Sequence, residues 1–117
     1  MVLIDSHAHL YLEEFKEDRQ EMMERAEKAG IGKIFLPNID STSVDAMLAI
    51  ERKYPLNCFA MMGLHPCSVM ETWKDEMDIV ESWLSKRKFT AVGEMGIDLF
   101  WDKAIQGPIP GRNYFIW

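Results

Sequence analysis

Val2-Leu3-Ile4-Asp5-Ser6-His7-Ala8-His9 is the stretch whose conformation decides the fold. In an extended strand successive side chains point to opposite faces, so positions 5, 7 and 9 share one side. On a helix, residues two apart lie roughly 200° from each other around the axis, and the two imidazoles would splay. The short apolar run before them reads as a strand. His7 and His9 are then expected on one face with the Asp5 carboxylate behind them. Two imidazoles so placed can grip one divalent ion from a single rigid element.

Strand signals recur three times beyond this point. Residues 13–29 carry Phe15, Met22, Met23, Ala26 and Ala29 at helical spacing and stop at Gly30. Residues 33–36 form a second apolar strand, broken by Pro37-Asn38. Ser41 and Ser43 offer caps for a second helix with Val44, Met47, Leu48 and Ile50, which ends at Tyr54-Pro55. Residues 57–62 are a third apolar run, turned by Gly63-Leu64-His65-Pro66. A third helix is expected over 71–86, with Trp73, Met77, Val80, Trp83 and Leu84 on its apolar face. Residues 89–92 make the fourth strand and lead into Gly93-Glu94-Met95-Gly96. Strict alternation of strand and helix means parallel (β/α) units, an α/β fold of four strands and three helices. Continuous apolar strands imply cover on both faces.

His7, His9, His65 and Glu94 each follow the C-terminal end of a strand. In a TIM (β/α)8 barrel, catalytic groups gather at that end. An open doubly wound sheet would instead favour a Gly-rich phosphate loop after the first strand, and none follows it here. About half of a barrel is therefore the expected architecture. His7, His9 and Glu94 supply two nitrogens and one oxygen, a set suited to Zn, Mn or Fe and tolerable for Mg. A carboxylate can also bridge two ions, as two-metal hydrolytic sites require. His65, in a Gly-x-His-Pro turn, reads on its own as a structural residue more readily than as a ligand for substrate.

The bulk properties narrow the function classes. With 19 acidic and 13 basic residues the net charge is −6, and the basic residues are dispersed, which argues against binding nucleic acid through a broad positive surface. A bound ion can still supply positive charge locally. No apolar run approaches the roughly 20 residues of a membrane span, and the N-terminus has no secretory pattern, so a cytoplasmic location is expected. Cys58 and Cys67 are too few for a disulfide framework and read as reduced thiols.

Three segments, Leu3-Ile4-Asp5-Ser6-His7-Ala8-His9-Leu10, Met62-Gly63-Leu64-His65-Pro66 and Val92-Gly93-Glu94-Met95-Gly96-Ile97-Asp98, occur in the order and spacing of the TatD-type metal-dependent deoxyribonucleases, which this chain resembles over residues 1–103. The resemblance implies His7, His9 and Glu94 as metal ligands, with Glu94 shared by two divalent ions (Mg, Mn or Zn) and central to catalysis. It implies Asp5 and Asp98 as supports behind those ligands and His65 as a group near the substrate phosphate. The implied reaction is hydrolysis of a phosphodiester at a DNA or oligonucleotide end by a metal-activated water. Tyr11 departs from the pattern, standing where the first motif prefers Asp or Asn.

The resemblance covers the N-terminal half of such a barrel. Residues 104–117, with two Pro and two Gly, do not read as the next helix. They are expected to be a divergent tail of frameshifted or non-native origin on a truncated chain of doubtful activity. A half-barrel leaves sheet edges and an inner face uncovered, so self-association into a homo-oligomer is expected. Two other functions share parts of this pattern. An amidohydrolase acting on C–N bonds would commonly use a carboxylated Lys where Glu94 stands, and a non-catalytic α/β assembly domain would need no ion.

Overall fold

The computed structural model describes residues 1–96. Four strands, β1 (Leu3–Asp5), β2 (Ile31–Pro37), β3 (Cys58–Met62) and β4 (Ala91–Val92), form one sheet in the order β1-β2-β3-β4. Every pairing is parallel, with Ile34 opposite Cys58 and Met62 opposite Val92 among the partners. Parallel neighbours cannot be joined by a tight hairpin, and each crossover here carries a helix: α1 (Arg19–Lys28), α2 (Val44–Lys53) and α3 (Trp73–Lys86).

The core lies between helices and sheet. Ile34 and Leu36 of β2 and Cys58, Ala60 and Met62 of β3 point to it on alternate positions. They meet Met23 of α1, Val44, Met47, Leu48 and Ile50 of α2, and Val80 of α3. Phe35 and Phe59, on the intervening positions, touch edge to face at 5.9 Å and are only part-buried. Full cover on both faces, expected from the apolar strands, is therefore corrected by the structure. Among the described residues the edge strand β1 is open, with Leu3 45% and Ile4 56% exposed, because β2 flanks it on one side only.

A second difference concerns the first helix. Residues 13–29 do not form one helix but a 3₁₀ turn, Glu13–Phe15, followed by α1. The break falls at Asp18, whose φ of −113° and ψ of 9° leave the helical basin. Arg19 supplies a physical reason. Its guanidinium turns back onto the preceding loop, donating to Leu10 O at 2.6 Å and Leu12 O at 2.9 Å. A rigid five-donor fork can satisfy several carbonyls at once, so it fastens the loop that carries residues 10–12.

Candidate metal centre

Three strand ends meet at one place. After β1 the chain stays extended: Ala8 N donates to Phe35 O at 3.0 Å, continuing the pairing with β2 past the formal strand end. Alternation then puts residues 7, 9 and 11 on one side, as the sequence pattern requires. Asp5 Oδ1 accepts from His7 N at 3.0 Å, so this carboxylate fastens the main chain beneath the histidine.

Glu94 is delivered from β4 by close backbone packing. Gly93 N donates to Met62 O at 2.9 Å, and Glu94 N donates to Asn38 O at 3.2 Å. The Gly93–Glu94 peptide lies on Gly63, where an added Cβ would stand 2.6 Å from Gly93 C and 2.7 Å from Glu94 N. No side chain fits there while Glu94 keeps its place. Asn38, fully buried at the end of β2, holds the three strand ends together. Its Nδ2 donates to Gly63 O at 2.9 Å and Asp40 O at 3.1 Å, its main-chain N–H is shared by Met61 O and Gly93 O at 3.1 Å each, and Ser43 Oγ lies 2.8 Å from its Oδ1. A buried amide so fully satisfied rigidifies its surroundings.

These supports bring His7, His9 and Glu94 together. The two Nε2 atoms are 3.1 Å apart, and Glu94 Oε2 is 3.4 Å from His7 Nε2 and 3.2 Å from His9 Nε2. Ligands bound to a shared ion at about 2.0–2.1 Å in a tetrahedral site stand about 3.3–3.4 Å from one another, so the observed triangle has the right size. Glu94 Oε2 is buried and has no hydrogen-bond donor among the described residues, although a buried carboxylate oxygen ordinarily has one. His7, His9 and Glu94 can each direct one donor atom to a common point, and they fit a divalent ion.

The protonation of His9 follows from its partners. Tyr11 Oη lies 2.5 Å from Pro37 O and 2.7 Å from His9 Nδ1. Burial pushes the Tyr11 phenol well above its usual range, so the group is an O–H. A carbonyl only accepts, so the hydroxyl proton goes to Pro37, and Nδ1 must carry the hydrogen that meets Oη. Burial is the main influence lowering the His9 pKa, reinforced by His7 and His65 and opposed by Glu94 and by a hydrogen bond to the Pro37 backbone, an acceptor that likewise calls for hydrogen on the ring nitrogen facing it. His9 is therefore neutral with its Nε2 lone pair toward Glu94. The 3.2 Å approach is accordingly a meeting of two electron-pair donors, not an ion pair.

His65 is assigned the opposite tautomer. Cys67 N donates to its Nδ1 at 3.0 Å, which leaves the ring proton on Nε2, 3.3 Å from Glu94 Oε1. This ring presents a donor and not a ligand atom. Asp98 lies outside the described residues, as do residues 104–117. Asn38 and Tyr11 went unrecognised in the sequence. The one available signal was a polar residue directly after Pro37 at a strand end, and for Tyr11 only its departure from the motif.

Residues 4–107 match the family described as TatD related DNase. This chain belongs to that family. Among TatD-family relatives, it is 37% identical over 103 residues to the metal-dependent hydrolase YjjV of Escherichia coli K12, covering 85% of this chain and 39% of that protein. It is 28% identical to the metal-dependent hydrolase YabD of Bacillus subtilis 168, covering 88% of this chain and 40% of YabD. The 3'-5' ssDNA/RNA exonuclease TatD of Dickeya dadantii is 24% identical, with 82% and 36% covered. The crystal structure of YjjV, a TatD homolog, superposes with a TM-score of 0.76 at 33% identity, covering 86% of this chain and 39% of that one. The chain thus spans about two fifths of the length of the curated relatives it matches. Its four parallel strands and three helices are half of the (β/α)8 barrel.

Proposed function

We propose that this chain carries the N-terminal share of a metal-dependent phosphodiesterase site that shortens single-stranded DNA or RNA from an end. The observation that supports this most is the convergence of His7 Nε2, His9 Nε2 and the buried Glu94 Oε2, which meets no donor among the described residues, within 3.1–3.4 Å. In this reading these three would hold a divalent ion (Mg, Mn or Zn), with Glu94 shared with another. Such an ion, when bound, would supply positive charge for the phosphate and acidify water for hydrolysis. His65 Nε2–H, beside Glu94 Oε1, is placed to donate to a phosphate oxygen. Asp5 keeps His7 in position through the main chain, and Asp98 remains a proposed support. A net charge of −6 favours a threaded strand end over a long duplex footprint.

The same proposal includes a cytoplasmic location, where such ends arise, and self-association across the open β1 edge. No described helix is long and apolar enough to cross a membrane. Light scattering on the purified chain should give a mass above that of a 13.6 kDa monomer. The functional test is elemental analysis of the full chain loaded with Zn²⁺ or Mn²⁺, beside His7→Ala, followed by incubation with a labelled single-stranded oligonucleotide. Metal should be lost in the variant, and shortening, where it occurs, should need the metal. Equal metal in both proteins would remove the ligand assignment. Cleavage of a cyclic amide with no action on the oligonucleotide would favour an amidohydrolase, and neither reaction would leave an assembly domain.

A further inference from the structure

We propose that Tyr11 is a positioning residue for the metal centre: its buried hydroxyl holds His9 in the Nδ1–H tautomer and aims the Nε2 lone pair at Glu94 and His7. This deepens the reading of His9 as a metal ligand and rests on it.

The geometry carries the argument. Tyr11 is 4% exposed, and its ring meets the His9 ring edge to face at 5.6 Å, which fixes the imidazole plane. Its hydroxyl sits between Pro37 O at 2.5 Å and His9 Nδ1 at 2.7 Å. With one proton to give and a carbonyl that can only accept, the hydroxyl donates to Pro37 and offers a lone pair to Nδ1–H. A neutral imidazole has one ring hydrogen, so holding it on Nδ1 leaves Nε2 bare. An outer hydrogen bond of this kind sets which nitrogen can bind a metal, and its loss typically costs roughly 10–100-fold in affinity. Pro37, at the end of the central strand β2, anchors the relay to the sheet. The place where the family motif prefers a carboxylate or amide is thus filled by a different acceptor.

The experiment is side-chain ¹⁵N NMR on the metal-free full chain, wild type and Tyr11→Phe, with Zn²⁺ affinity measured by chelator competition. In the wild type, His9 should show hydrogen on Nδ1 and a bare Nε2, whereas His65 should show the reverse and serve as an internal reference. In Tyr11→Phe the His9 signals should move toward the Nε2–H form with His65 unchanged, and Zn²⁺ affinity should fall at least about tenfold. A wild-type His9 with hydrogen on Nε2 overturns the proposal without recourse to any variant. So does a Tyr11→Phe protein that keeps the wild-type tautomer, whatever its affinity. Absence of Zn²⁺ binding in the wild type would instead defeat the ligand reading, so the two failures are distinguishable.

Discussion

Replacing Asn38 by Leu tests whether the three strand ends are held by one amide. The two side chains are similar in size, so the change exchanges hydrogen bonds for apolar contact with little change in volume. It removes the donor to Gly63 O at 2.9 Å and to Asp40 O at 3.1 Å. Ser43 Oγ, already 3.0 Å from Asp40 O, can turn to that carbonyl, so this pair satisfies itself. Gly63 O has no such substitute among the described residues and is left in a buried setting. An orphaned buried carbonyl costs about 1–3 kcal/mol, and the remaining lost hydrogen bond about 1 kcal/mol, for a total of about 2–4 kcal/mol. Trp73 and Trp83, packed against the core, report unfolding in urea. The midpoint should fall by about 1 M or more with an unchanged slope. The main-chain bonds of Asn38 to Gly93 and Glu94 survive, so Zn²⁺ affinity should fall less than in His9→Ala. Asn38→Leu within about 0.5 kcal/mol of the wild type would refute the assignment.

Other changes probe other parts of the same construction. Gly63→Ala forces a methyl against the Gly93–Glu94 peptide, so it should destabilise by about 1–3 kcal/mol and weaken Zn²⁺ binding; wild-type affinity in this variant would show that the packing is slack. His9, whose pKa is lowered mainly by burial, takes up a proton more readily when unfolded, so its contribution is intact above the ordinary value of 6.5 and lost as the pH falls below it. Urea midpoints at about pH 7.5 and 5.5 should differ less in His9→Gln than in the wild type, and an equal difference contradicts the burial argument. Burial pushes the Cys58 thiol up to about 11, so iodoacetamide should modify it at about pH 8 only after unfolding; native labelling at the unfolded rate, read by mass spectrometry, would mean the core opens there.

The alternation of strands and helices was legible because it rests on local periodicity, and α2 and α3 begin within two residues of where their apolar faces place them. Contacts distant in sequence were not legible. The interruption before α1 depends on Arg19 reaching carbonyls seven to nine residues back, which no hydrophobic period encodes. The exposure of β1 depends on what flanks it, while Val2-Leu3-Ile4 is equally apolar at an edge or in the middle. Asn38 looked like a strand breaker after Pro37. Its use comes from the register that sets Pro37 opposite Met61 and so brings Gly63 O within reach of its amide.

The histidines mark the same boundary within the candidate site. Sequence spacing selects which rings face the centre, since alternation along β1 and the turn after β3 put His9 and His65 there. It does not say what each ring offers, because that is decided at the far nitrogen. Against His9 Nδ1 stands Tyr11 Oη, which has a lone pair to give, so His9 turns a lone pair inward. Against His65 Nδ1 stands the Cys67 N–H, which has a proton to give, so His65 turns an N–H inward. Both rings lie within 3.3 Å of the Glu94 carboxylate, yet one can bind a cation and the other can bind only an acceptor such as a phosphate oxygen. What each ring offers toward Glu94 thus comes from one hydroxyl and one backbone amide, and the proposed split between metal ligand and phosphate donor rests on those two groups.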